Sequence, residues 1–151
     1  MIVDSLLQLS AAQVVTASAV STNTLDVGPQ ARDIGRGTPL YINTTVDTTV
    51  TAAGAATVQI DVISSAVAAL TSPTVICSTG PIPKADLVAG RAPIVLAVAP
   101  SNLTTLPKGQ QFLGVQYTIG TGPLTAGAFT TYINNEDAGQ LPAYLSGFTV
   151  V

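Results

Sequence analysis

Short runs in which apolar and polar residues alternate, cut off by clusters of glycine and proline, recur along the chain and restrict its fold more than any other feature. Alternation with a period of two is the mark of a strand with one face buried. In residues 56–63, Val58, Ile60 and Val62 share one face, while Gln59 and Asp61 share the other. Leu40, Ile42, Thr44 and Val46 repeat the pattern, as do Leu113, Val115, Tyr117 and Ile119, with Gln116 and Thr118 opposite. Further strands are expected at 22–27, 74–78, 94–98 and 128–134. Turn residues separate these runs: Gly28 and Pro29, Gly35 and Gly37, Gly54, Gly80 and Pro81, Pro100, Pro107 and Gly109, and Gly120, Gly122 and Pro123. Only 84–88 and 10–15 offer a helical alternative, and only for a turn or two. The pattern predicts an all-β, single-domain jelly roll, a two-sheet antiparallel β-sandwich of about eight strands with little helix.

Charge narrows the reading. Only 9% of the 151 residues are charged, against 47% apolar, where an ordinary soluble domain carries about 25% charged residues. Disorder requires the opposite balance, and helical bundles or coiled coils need Glu-, Lys- and Arg-rich surfaces. The exposed surface is therefore expected to be Thr, Ser, Asn, Gln, Gly and Ala, or else part of it is covered by a partner. A net charge of −3, with basic residues scattered at Arg32, Arg36, Lys84, Arg91 and Lys108, makes no phosphate-binding patch, so direct nucleic-acid binding is not expected. The mean hydropathy is +0.51, yet the longest strongly apolar run, 93–100, falls far short of the roughly 20 residues of a spanning helix. The first residues carry Asp4 and no early Lys or Arg, unlike a signal peptide. The expectation is a soluble chain with no membrane partner.

Catalytic chemistry finds few materials. There is no histidine and one cysteine, Cys77, which excludes Ser–His and Cys–His nucleophile systems, histidine-containing zinc sites and cysteine clusters. Cys77 follows Thr74, Val75 and Ile76 and reads as a buried small hydrophobe. Asp61 reads as a solvated carboxylate. Asn134, Asn135, Glu136 and Asp137 lack the alternating spacing of a calcium loop. The glycines between 120 and 127 lack the lysine and following helix of a phosphate loop. Asn43 and Asn102 stand in glycosylation-type tripeptides, which carry meaning only on a secretory route. Arg32, Asp33 and Arg36 read as a loop ion-pair group. The expectation is a protein that is not an enzyme and holds no cofactor or metal.

Several segments taken in order resemble a known family. They are Asp4 and Ser5, then 17–23 (ASAVSTN); 31–35 (ARDIG), followed by Pro39, Leu40, Tyr41, Val46 and Asp47; 51–57 (TAAGAAT) running into its strand; and 112–117 (FLGVQY) followed by 121–130 (TGPLTAGAFT). Over roughly residues 2–135 the chain resembles the capsid cement, or decoration, protein family of tailed bacteriophages, typified by the Bordetella phage jelly-roll cement protein. The resemblance implies a structural virion protein on the outer surface of the capsid, made in the host cytoplasm. Its implied partners are the major capsid protein and further copies of itself, a dimer being favoured. Residues 1–135 are then the cement domain, and 136–151 a C-terminal extension, either a final strand or an arm reaching a neighbour, where the chain departs from the family core. Interface energy concentrates in a few apolar or aromatic anchors, and Tyr132, Leu141, Tyr144 and Phe148 are the candidates. The alternative is a receptor- or carbohydrate-binding jelly-roll module of a phage tail or fibre.

Overall fold

The computed structural model describes residues 4–28, 39–99 and 110–135. Nine strands lie within them: β1 (Gln8–Val14), β2 (Ala19–Val20), β3 (Leu25–Asp26), β4 (Leu40–Thr51), β5 (Thr57–Ser65), β6 (Thr74–Pro83), β7 (Ile94–Val98), β8 (Phe112–Gly120) and β9 (Ala126–Asn134). They form two antiparallel sheets. One runs β1-β9-β4-β7; the other runs β2-β8-β5-β6, with β3 also paired to β8. The first strand lies beside the last, and every pairing except the β5-β6 hairpin joins strands that are not consecutive, which is the jelly-roll order.

The alternation read from sequence sets which faces meet. Val58, Ile60 and Val62 of β5 and Val115 and Tyr117 of β8 pack against Ile42 and Val46 of β4 and Phe129 and Ile133 of β9 in one core between the sheets. The Tyr117 and Phe129 rings stack across it, with centroids 5.2 Å apart. Of the expected strand at 22–27 only β3 is formed, and the short β2 precedes it at Ala19–Val20. Between them the Ser21 hydroxyl turns back to accept from the Val115 amide at 3.1 Å and donate to the Asn23 carbonyl at 2.9 Å. Residues 10–14, a candidate helix turn, belong to β1. They are bent rather than helical, with register shifts on both sides of Ser10 and Ala12 at φ 44°. Of 84–88 only the 3-10 turn Lys84–Asp86 is helical, and a second such turn, Ser5–Leu7, is capped by Asp4.

A polar chain crosses the core. The Tyr117 hydroxyl donates to Ser10 Oγ at 3.0 Å, and Ser10 Oγ donates to Gln13 Oε1 at 2.8 Å. A hydroxyl has one proton to give, so Thr131 donates to Tyr117 over their 2.7 Å contact and Thr44 donates to Thr131 over 2.8 Å. Gln13 Nε2 then donates to the Val20 carbonyl at 2.8 Å. The relay therefore runs from β4 through β9, β8 and β1 to β2, touching both sheets twice.

The two ends of the sandwich differ. At one end short connections tie the sheets together: Val15 N donates to the Gly127 carbonyl, Leu124 N to the Thr16 carbonyl, and Val50 N to the Leu87 carbonyl, each at 2.9–3.0 Å. At the other end lie Asp26, Leu40, Ser65, Thr74, Val98, Phe112 and Asn134, the termini of their strands.

Replacing Tyr117 by Phe keeps the stacked ring and removes the hydroxyl, leaving the Thr131 donor and the Ser10 acceptor unmatched in the core. A loss of about 1–3 kcal/mol is expected, read from the urea midpoint at unchanged slope. A loss within error would show that the relay contributes nothing to stability.

Candidate partner-binding surface

The faces that look away from the core decide what such a sandwich can bind. On β9, Phe129, Thr131 and Ile133 point inward, so the pleat turns Thr130 and Tyr132 outward. Tyr132 pairs with Gln8 of β1 on one side and Asn43 of β4 on the other, and Asn43 pairs with Val95 of β7. One row of side chains thus crosses all four strands of this sheet. The neighbouring row on the same face holds Asn134, Tyr41 and Ala97.

Tyr132, the one candidate anchor within the described residues, is only 4% exposed, and Asn43 beside it is fully buried. Tyr132 therefore sits at the centre of an outward face without offering its ring as free surface. Burial also raises its phenol above the ordinary tyrosine value. Leu141, Tyr144 and Phe148, and with them the expected extension 136–151, lie outside the described residues, as do Arg32, Asp33, Arg36 and Asn102. Asn43 was visible in the sequence only as part of a glycosylation-type tripeptide, and its burial leaves it no surface on which to carry a glycan. Further along this face, the Thr130 hydroxyl donates to Asp47 Oδ2 at 2.6 Å and accepts from the Ala12 amide at 2.8 Å. Asp47 is the extra residue where β4 shifts register against β9, and the bulge aims its carboxylate at Thr130.

The opposite sheet corrects two expectations. Asp61 does face outward, but it is 3% exposed and not solvated. Gln59 Nε2 donates to both of its oxygens, at 2.8 and 3.1 Å, and Thr118 Oγ1 adds a longer bond of 3.4 Å. Cys77 is half-buried on the edge strand β6 rather than enclosed. Partial burial, helped by the nearby Asp61 charge, pushes its thiol up. Phe112 is half-buried and lies on the outward parity of β8, whereas Tyr117 is fully buried.

The other polar groups serve the fold. Asp4 Oδ1 accepts from the Leu6 amide and Asp26 Oδ1 from the Gly28 amide, at 2.9 and 2.7 Å. Arg91 spends its donors on the Asp86 and Ala92 carbonyls at the mouth of a shallow cleft that includes Ile82 and Ile94. The glycines near 120 make a turn, with Thr121 and Gly122 at φ 62° and 95°. Among the described residues no three His, Cys, Asp or Glu side chains gather as metal ligands, and no helix is long and apolar enough to cross a membrane. What the arrangement offers is area: charge-poor outward faces and the uncharged edge strands β1, β6 and β7.

A family model described as Bbp16 matches residues 9–133. The chain belongs to the Bbp16 family. The name points to a Bordetella phage protein, and the match begins in β1 and ends in β9, so the whole jelly roll is the Bbp16 unit. No curated protein matches the chain.

Two titrations test this description of a Bbp16 chain. Burial raises Tyr117 as well, with its hydrogen bonds to Ser10 and Thr131 acting the other way. Both phenols therefore hold their protons in the folded state above the pH, about 10, at which they ionise when unfolded. The phenols' contribution to stability should be level below pH 10 and be lost as the pH rises beyond it, and Tyr117→Phe should flatten that part of the fall. An unchanged slope in that variant would contradict the burial. Cys77 should react with iodoacetamide more slowly at pH 8 in the folded protein than in urea; equal rates would show an ordinary exposed thiol.

Proposed function

We propose that this protein is a capsid cement protein, binding the exterior of a tailed-phage head and strengthening contacts between capsomers of the major capsid protein. The observation that carries the reading is family membership across the whole jelly roll, joined to the sequence resemblance to phage cement proteins. The physical character of the chain supports it. A sandwich with 9% charged residues, whose described polar groups are engaged in turns and side-chain networks, suits a tile that works through area. Catalysis and resident metals have no part in this reading. Each copy would bury modest area, and simultaneous contacts with several shell subunits and with a second copy of itself would supply avidity.

The receptor- or carbohydrate-binding alternative needs aromatic rings free to stack on sugars. Tyr117 and Phe129 are engaged with each other in the core, and Tyr132 is buried. Among the described residues that leaves the half-buried Tyr41 and Phe112.

Co-sedimentation with cognate expanded heads stripped of their own copies tests the proposal. Saturable binding at a fixed ratio to the major capsid protein is expected, with the heads surviving heating better once loaded. Absence of binding would return the chain to the tail or receptor-binding reading. A chain ending at Asn135 measures the share of Leu141, Tyr144 and Phe148. If they are anchors, it binds several-fold more weakly; equal binding removes them from the interface.

A further inference from the structure

Tyr132 and Asn43 are buried on the side of their sheet that faces away from the core. Both stand in the outward row Gln8, Tyr132, Asn43 and Val95, yet Tyr132 is 4% exposed and Asn43 0%. Tyr132 is not part of the core between the sheets, to which β9 contributes Phe129 and Ile133. A tyrosine on the outer face of a two-layer sandwich stands clear of the pleat and meets water unless a further layer lies over it. The burial is that of a single chain, so the layer comes from the chain itself.

The cover is local. It is complete over Tyr132 and Asn43, partial over Thr45 and Thr130, and absent at Asp47, which is exposed. In the next row Tyr41 and Asn134 are half-buried and Ala97 is exposed. The layer therefore lies over β9 and β4, toward the end where β9 finishes at Asn134. The 3-10 turn Ser5–Leu7, which also lies against β9, does not supply it: Leu6 is 81% exposed, and Leu7 packs against the core between the sheets. Three longer stretches attach at this end. Residues 29–38 join β3 to β4 and 100–109 join β7 to β8, so each has to run from one sheet to the other. The first carries Arg32, Asp33 and Arg36, and the second has only Leu103 and Leu106 as large apolar residues. The third, 136–151, follows β9 directly from the row beside Tyr132. It carries Leu141, Tyr144, Leu145 and Phe148, with no charged residue from 138 onward. At about 3.3 Å per extended residue, the stretch from Asn134 to Leu141 is long enough to turn back over Tyr132.

We propose that segment 136–151 folds back over the outer face of its own β1-β9-β4-β7 sheet and forms a third layer there, with its apolar side chains seated on Tyr132 and the row around it. The docking removes an apolar stretch of chain and a tyrosine ring from water together. The family match ends at residue 133, so the layer is an addition to the Bbp16 unit. The assignment stands apart from the cement reading. Whatever the protein binds, the centre of this face is occupied by its own chain, and Leu141, Tyr144 and Phe148 cover the fold instead of anchoring a partner.

The test is tyrosine acetylation of the full chain by N-acetylimidazole, with each modified residue located by tandem mass spectrometry. In the wild type Tyr132 should react as slowly as Tyr117 and more slowly than the half-buried Tyr41. Leu141→Asp combined with Leu145→Asp and Phe148→Asp should speed acetylation of Tyr132 at least tenfold while Tyr117 stays protected, which reports that the sandwich is still folded. Tyr132 protected as before in that variant would assign the cover to another segment and overturn the proposal. The reciprocal measurement uses Tyr132→Ala: chymotrypsin should cut after Tyr144 and Phe148 at least tenfold faster than in the wild type, and equal rates would overturn it. Protection of Tyr132 that disappears on dilution, as sedimentation shows dissociation to monomers, would place a second copy's segment on the face and overturn it as well. None of these readouts involves phage heads, so the cement reading stands or falls separately.

Discussion

The Tyr117 hydroxyl is the constraint on which the rest of the sandwich depends. It stands on β8 of one sheet and finds both partners, Ser10 and Thr131, on the other. Slipping β8 by one residue against β5 would turn Tyr117 outward and leave the Thr131 donor and the Ser10 acceptor unmatched in the core. The same relay continues to Thr44 on β4 and through Gln13 to β2. Apolar packing alone would hold the sheets together in several registers. The hydroxyl relay, with the Tyr117–Phe129 stack, favours one.

Neutral hydrogen bonds suit this chain better than ion pairs would. Hydroxyls and amides donate and accept, so Thr, Ser, Gln and Asn can satisfy one another without the desolvation that a buried charge incurs. The side of the sandwich formed by β1, β2 and β3 shows how far this goes. Thr22 N donates to Gln13 Oε1, Asn23 N to the Leu9 carbonyl, and Asn23 Nδ2 to the Gln8 carbonyl. These bonds close that side, although β1 and β2 belong to different sheets. The opposite side, between β6 and β7, has no comparable stitching among the described residues, and its edge strands carry no charge.

Most of the fold was legible because each long strand has one apolar face. Leu40 to Val46, Val58 to Val62 and Leu113 to Ile119 meet in the core with the parity that their alternation implies. Legibility ended where side chains override local pattern. Residues 22–27 look like one strand, yet only Leu25–Asp26 pairs with β8, while Asn23 bonds to the Leu9 and Gln8 carbonyls of β1. Asp61 looked solvated because its position on the polar face is correct; only the structure brings Gln59 and Thr118 onto its oxygens. Tyr132 was legible as an outward residue and not as a buried one, because burial on an outer face depends on what lies above the sheet rather than on strand period. Loop 66–73, which joins β5 to β6, gave no signal of its shape, since alanine and valine fit a strand, a helix or a core equally well and positive φ at Leu70 leaves no compositional trace.

The unequal ends of the sandwich suggest how structure and contact are divided. At the end where β4 passes to β5 and β8 to β9, the connections are short and bonded to one another, which leaves little chain free to specialise. At the other end, the strand termini Asp26, Leu40, Val98, Phe112 and Asn134 are the points to which segments 29–38, 100–109 and 136–151 attach, and loop 66–73 emerges beside them. Three of the five basic residues, Arg32, Arg36 and Lys108, belong to those segments. Extra length is tolerated most cheaply in surface connections, and a rigid jelly roll supplies the frame against which such length can be ordered. The Tyr117 relay lies in the body of the sandwich, so changes in those connections need not reach it.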